Sequence, residues 1–199
     1  MISSINPATE EVLAEFEPWS AEQVDAAVDE VVAAQRTWRR MSIEERAVPM
    51  RRAGELLRQR VERYGALITA EMGKPIVEAE AEVNKCALAC DHYADHAAEY
   101  LADAPVATES LESYVAYQPL GAILAIMPWN FPFWQVFRAG APTMMAGNGV
   151  VLKHASNVPQ SALACEQVLR DAGFPDGLLR TVLIAGERGE PRRRQHRRA

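Results

Sequence analysis

The sequence predicts an α/β fold in which a helical layer precedes the first strands of a parallel sheet. Two observations carry that prediction. Between about residues 20 and 101 apolar residues recur at helical spacing, and beyond about residue 114 the pattern changes to short apolar runs punctuated by Pro and Gly. Two of the later runs flank a further helical stretch, which is the spacing of a βαβ unit.

The first helix is expected over residues 20–39. Ser20 followed by Gln23 makes a capping-box signature, and Val24, Val28, Val31, Ala34 and Trp38 recur on one face. Ser42 and Glu45 repeat the signature, while Pro49 tolerates only a first-turn position, so a short helix should hand over to a second one there. Leu56, Leu57, Val61, Tyr64, Leu67 and Ile68 mark the buried stripe of that second helix, and Gly73 ends it. Pro75 opens the next, which runs to about Leu101 with Ala79, Val83, Ala87, Cys90 and Tyr93 on one side. Tyr114 to Pro119 and Ala122 to Met127 then read as two strands joined by a tight turn at Pro119-Leu120-Gly121, a β-hairpin over about 114–127. Phe133 to Met145 reads as a helix. Val150 to Lys153, Pro159 to Ala172 and Leu179 to Ile184 read as strand, helix and strand, the βαβ unit over about 150–184.

With 49% hydrophobic and 24% charged residues among 199, the chain has the composition of a soluble globular protein, one domain or part of a larger one. Residues 1–18 hold no Lys or Arg and no apolar run, so no secretory or mitochondrial signal is visible and a cytoplasmic location is expected. No run approaches the roughly 20 apolar residues that span a bilayer, so no membrane partner is expected. Three cysteines, Cys86, Cys90 and Cys165, read as reduced core thiols. The net charge of -6 hides an asymmetry: through Glu187 the chain holds 15 Lys+Arg against 26 Asp+Glu, whereas the last twelve residues hold six Arg and one Glu. So acidic a body argues against a nucleic-acid partner. Cys86, Cys90, His92 and His96 do not make a metal site, because at about 100° per residue the histidines point roughly 240° and 280° away from Cys86.

The most informative segment is Pro128-Trp129-Asn130-Phe131-Pro132, a loop stiffened by two prolines directly after an expected strand. An amide held there can donate to a developing oxyanion, although an isolated Trp-Asn pair reads more simply as a structural aromatic turn. About twenty residues later comes Val151-Leu152-Lys153-His154-Ala155-Ser156. Together these two segments resemble the Pro-Trp-Asn-Phe-Pro motif and the cofactor-binding Lys strand of the aldehyde dehydrogenase superfamily. Asn6-Pro7-Ala8-Thr9, Glu71-Met72-Gly73-Lys74-Pro75, Gln118-Pro119-Leu120-Gly121 and Ala146-Gly147-Asn148 also match, so that the resemblance runs from about Ile5 to Gly186. It implies that residues 1–186 are the N-terminal portion of a Rossmann-like cofactor-binding domain. No GxGxxG is present, and the resemblance does not require one.

The resemblance implies roles position by position. Asn130 matches the catalytic amide donor to the oxyanion formed when a cysteine attacks the aldehyde, a kind of contact typically worth roughly 3 to 4 kcal/mol of barrier. Lys153 matches the Lys that binds the adenosine ribose hydroxyls. Ser156 stands where relatives carry a Glu or a small residue; a Glu would repel a 2'-phosphate, so NADP is allowed and NAD stays open. Ile126, Met127, Pro128 and Trp129 complete the expected cofactor contacts, and Phe131 shapes the substrate tunnel. Trp134 and Arg138 lie one turn apart on the following helix, a spacing similar to the succinate-semialdehyde dehydrogenase branch, where an Arg holds the substrate's distal carboxylate. The expected partner is therefore a small aldehyde, within a parent enzyme that is a homo-oligomer.

Beyond Gly186 a family member continues through a Gly-Ser segment, a Glu general base and a second domain bearing the nucleophilic Cys. None of these follows, and the chain as it stands is expected to be truncated and inactive by itself. Residues 187–199 are expected to be disordered; they read as a shifted reading frame or, alternatively, as a basic arm. Two other readings stand beside the enzyme: an assembly module that joins a complete paralogue, and a gene remnant with uncovered apolar faces.

Overall fold

The structure is a computed structural model that describes residues 1–184, and the expectation for residues 187–199 lies outside them. The chain opens with an antiparallel pair, β1 (Ile2–Ile5) and β2 (Val12–Phe16), which the sequence did not announce. The inward positions of β1 are Ile2 and Ser4, whereas Ile5 is exposed, so no apolar alternation marks the strand. Ser4 faces inward because its hydroxyl donates to the buried Glu71 carboxylate at 2.8 Å.

Four helices follow: α1 (Ala21–Trp38), α2 (Ile43–Gln59), α3 (Val61–Met72) and α4 (Ile76–Tyr100). Both capping boxes form, on Ser20 with Gln23 and on Ser42 with Glu45. The buried line of α1 is Ala27, Val31, Gln35 and Trp38, with Val24, Val28 and Ala34 at its half-buried margins. Two polar groups on that line are satisfied more than a hundred residues later in the chain: Trp38 Nε1 donates to the Met144 carbonyl at 2.7 Å and Gln35 Nε2 to that of Gly147 at 2.9 Å. The handover expected at Pro49 does not occur. α2 continues through Pro49, and the break falls at Arg60 instead. Pro49, Met50, Ala53, Leu56 and Leu57 are all buried on one face against α4, and that burial outweighs the lost backbone hydrogen bond. Gly73 ends α3 in the left-handed conformation, at φ 77°.

The hairpin expected over about 114–127 is also corrected. Tyr114–Val115 (β4) pairs antiparallel with Ala104–Pro105 (β3), whereas Ala122–Met127 (β5) pairs in parallel with Gly149–His154 (β6). The reason lies at the turn. The Gly121 N–H donates to Asn148 Oδ1 at 3.0 Å and the Gly121 carbonyl accepts from the Gly149 N–H at 3.0 Å, so residue 121 is stitched to the start of β6 and not back onto β4.

Helix α5 (Trp134–Met145) crosses from β5 to β6, and α6 (Pro159–Asp171) crosses from β6 to β7 (Leu179–Thr181), which lies parallel to β6. The sheet order is β5-β6-β7. The core is continuous from the helical layer into this sheet: Trp38, Leu57, Tyr64 and Ile68 belong to one buried cluster with Phe133, Phe137, Met144 and Leu152. A smaller cluster of Ala27, Val31, Val151 and Val182 seats α1 on the opposite face.

Candidate active site

The residues singled out from the sequence gather at the carboxyl ends of β5 and β6, where parallel α/β sheets hold their ligands. Ile126 is the register partner of Lys153, and Met127 of His154. Side chains alternate along a strand, so Ile126 and Lys153 share the face that carries α1 while Met127 and His154 share the other, beneath α5. Ile126 and Met127 therefore do not present side chains to one cleft: Ile126 is exposed, and Met127 lines an apolar cavity of about 110 Å³ with Ile123, Val136, Gly140 and Leu152. None of the other candidates lines that cavity.

After Met127 the chain forms a loop with an exposed crest and a buried foot. Pro128, Trp129, Asn130 and Phe131 are exposed, whereas Pro132 and Phe133 are buried. The foot is held from two sides. From β6, the His154 ring bonds the Pro132 carbonyl through Nε2 at 3.0 Å, and its Nδ1 accepts the Ala155 N–H at 2.8 Å. Accepting at Nδ1 and donating at Nε2 defines a neutral imidazole. Burial, the largest influence, lowers the His154 pKa; the hydrogen bond to Pro132 opposes it and the neighbouring Lys153 charge adds to it. From the helical layer, Glu82 Oε1 accepts the backbone N–H groups of Phe133 at 2.9 Å and Trp134 at 3.0 Å, and its other oxygen pairs with Lys74. The Lys74 ammonium lies 3.7 Å from the centroid of the Phe131 ring, and that of Lys85 lies 4.1 Å from the centroid of Trp134.

Lys153 is half-buried near the end of β6, and Ser156 is exposed in the turn that leads to α6. Arg138 is exposed on α5, one turn beyond the half-buried Trp134, and forms no ion pair with a described residue. No hydrogen bond or ion pair among the described residues joins Arg138, on α5, or Ser156, in the turn after β6, to the loop. Helix N-termini here are not free to receive a phosphate. The first amides of α5 are taken by Glu82, and those of Gln160 and Ser161 in α6 are taken by the buried Glu71 carboxylate, both at 2.8 Å.

Glu82, Lys74 and His154 were not among the sequence-derived site residues. A signal for Glu82 exists: it falls between Ala79 and Cys86 on the apolar stripe of α4, and a carboxylate at a core position demands partners. Glu71, on the stripe of Tyr64 and Ile68, carries the same signal. Cys86, Cys90 and Cys165 are buried, and burial raises each thiol pKa, so none is a ready nucleophile. Among the described residues no group of three or more His, Cys, Asp or Glu could hold a metal ion, and no helix is long and apolar enough to cross a membrane.

A sequence model described as the aldehyde dehydrogenase family matches residues 1–192. This chain belongs to the aldehyde dehydrogenase family. Curated members similar to it include a "Probable succinate-semialdehyde dehydrogenase (NADP(+))" of Synechocystis, 52% identical over 186 residues, which cover 94% of this chain and 41% of the relative. A succinate semialdehyde dehydrogenase (NAD(P)+) of Escherichia coli is 48% identical over 176 residues, covering 88% of this chain and 38% of that one. Among solved structures, succinic semialdehyde dehydrogenase from Streptococcus pyogenes in complex with NADP+ superposes with a TM-score of 0.89 at 35% identity, covering 93% of this chain and 41% of that one. The chain thus spans about two fifths of the length of the aldehyde dehydrogenases it matches.

Proposed function

We propose that residues 1–186 form the N-terminal portion of the cofactor-binding domain of an NAD(P)-dependent succinate-semialdehyde dehydrogenase, working in a homo-oligomeric parent. In this reading Asn130 Nδ2 donates to the aldehyde oxygen as a cysteine thiolate adds to the carbonyl carbon and that oxygen gains charge. The dinucleotide, when bound, supplies the hydride acceptor. Lys153 donates to the hydroxyls of its adenosine ribose, with Ile126, Pro128, Trp129 and the backbone of Met127 along its path. Ser156 brings no negative charge toward a 2'-phosphate, so NADP is accepted alongside NAD. Phe131 and Trp134 flank the aldehyde, and the Arg138 guanidinium forks onto its distal carboxylate. The 199-residue polypeptide by itself does not turn over, because its three thiols are core residues.

The single observation that supports the reading is the hydrogen bond from the strand of Lys153 to the loop of Asn130, through His154 and the Pro132 carbonyl at 3.0 Å. Titration of the purified chain with NADP+ and NAD+, followed by tryptophan fluorescence or calorimetry, tests it. Lys153→Ala should weaken both cofactors, and Ser156→Glu should weaken NADP+ more than NAD+. Equal affinity in all three proteins would overturn the assignment of these positions. Formation of NADPH from succinate semialdehyde by the chain alone would overturn its inactivity.

One observation favours the assembly-module reading as well. Among the described residues β5 is an edge strand; its own Leu124 and Ile126 are 56% and 64% exposed, and Leu120 just before it is 88% exposed. Co-purification with a complete aldehyde dehydrogenase would support that role, and a lone monomer in its presence would refute it.

A further inference from the structure

Glu82 is an expensive residue to bury. Its side chain is 1% exposed inside the helical layer, and a carboxylate in such a place is tolerated only when every oxygen is matched. Its partners all concern one short segment. Oε1 accepts from Phe133 N–H and Trp134 N–H, the residues that open α5, and Oε2 holds Lys74, whose ammonium rests against the Phe131 ring at 3.7 Å. Helix α5 has no cap of its own, since Phe133 stands at its N-cap and offers no side-chain acceptor. The missing cap arrives from α4, 51 residues earlier. Lys74 is itself held in place, following Gly73 at φ 77° and preceding Pro75, which opens α4.

We propose that Glu82 and Lys74 are positioning residues for the Asn130 loop: the buried carboxylate fixes the amides just after the loop, the buried ammonium fixes the ring beside Asn130, and together they set the direction of the Asn130 amide. Asn130 is exposed at the crest, so its direction follows from the backbone on either side of it. On the carboxyl side that backbone is anchored at Phe131, Pro132, Phe133 and Trp134 by Lys74, His154 and Glu82. The pair is not a catalytic one, because both side chains are buried and Lys74 meets the crest only at the Phe131 ring. This inference rests on the reading of Asn130 as the oxyanion donor, yet its test does not depend on turnover.

The full 199-residue chain, isotopically labelled, supports the experiment. Two quantities are followed by NMR: hydrogen exchange at the Phe133 and Trp134 amides, and the side-chain amide resonances of Asn130. The side-chain amide of Asn148, which donates to the Thr143 carbonyl at 3.2 Å away from the loop, is the internal control. In Glu82→Ala, exchange at Phe133 and Trp134 should accelerate by at least about tenfold relative to the middle of α5, and the Asn130 resonances should move while those of Asn148 stay. Glu82→Asp should restore part of both. Unchanged Asn130 resonances, or equal acceleration along all of α5, would overturn the proposal, since the pair would then serve general stability alone. Should Glu82→Ala not fold, the neutral pair Glu82→Gln with Lys74→Met carries the test. It keeps an acceptor for the two amides but removes the ammonium from Phe131, so Asn130 must still move with Phe133 and Trp134 protected. Failure of cofactor binding in the unmodified chain would sink the proposed function and leave this result standing.

Discussion

His154 shows how one side chain ties chemistry to stability. Its ring is buried and accepts a backbone N–H at Nδ1, so protonation removes an acceptor and places a charge beside Lys153. Its folded pKa lies below the ordinary value of 6.5, so below pH 6.5 the unfolded chain binds a proton that the folded chain refuses. The stabilisation is therefore fully present above that value and falls away as the pH drops toward the folded pKa. His154→Gln keeps a donor for Pro132 but cannot titrate. Denaturant unfolding between pH 7 and 5 should show a steeper loss in the parent than in this variant, by up to about 1.4 kcal/mol per pH unit for a single proton. Parallel profiles would mean that the imidazole titrates equally in both states. Lys153 and Asn130 are singled out as candidates because they stand in recognisable strings of residues; His154 stands in the same string, but its bond to Pro132 joins β6 to the loop after β5 and leaves no trace in spacing.

At the scale of elements, the seating of α1 on the sheet depends on a missing side chain. A Cβ on Gly149, at the start of β6, would lie 2.7 Å from Val31 Cγ1 and 3.3 Å from the carbonyl oxygens of Leu178 and Val31. Two of those three neighbours are backbone, which cannot swing aside. Gly149→Ala should therefore destabilise the chain by about 1–3 kcal/mol, an overpacking cost visible in the denaturant midpoint with the slope unchanged. A shift within error would mean that α1 is free to move outward. Helices were readable at this scale where caps and stripes agreed, as on Ser20 and Ser42. The reading failed at Pro49, where packing against α4 overruled a local breaker, and at β4 and β5, where two adjacent strands took different partners. Strand pairing is decided by contacts distant in sequence, so neighbouring apolar runs do not reveal it.

For the molecule as a whole, the helical layer and the sheet share one core, and the three cysteines report on it. Cys86 and Cys90 of α4 and Cys165 of α6 belong to the same buried cluster, and burial pushes all three thiols up. A thiol reagent should label them only as fast as the core opens, and all three together. Rapid labelling of one thiol in the folded chain would show that the core is not continuous and would reopen the question of a nucleophile within it. The buried carboxylates belong to this scale too. Glu71, Glu82 and Glu166 each leave one element to satisfy backbone amides of another, at Gln160 and Ser161, Phe133 and Trp134, and Thr181. They are the polar seams between layers.

The sequence by itself determined the helical layer, the parallel βαβ character of the second part and the family. Those features are written in local periodicity, caps and short strings, which depend on residues close in the chain. Only the tertiary structure decided which strands pair, which face each candidate occupies, and what holds the loop. A buried carboxylate finds its partners by proximity in space, and Glu82 meets Phe133 across 51 residues of intervening chain.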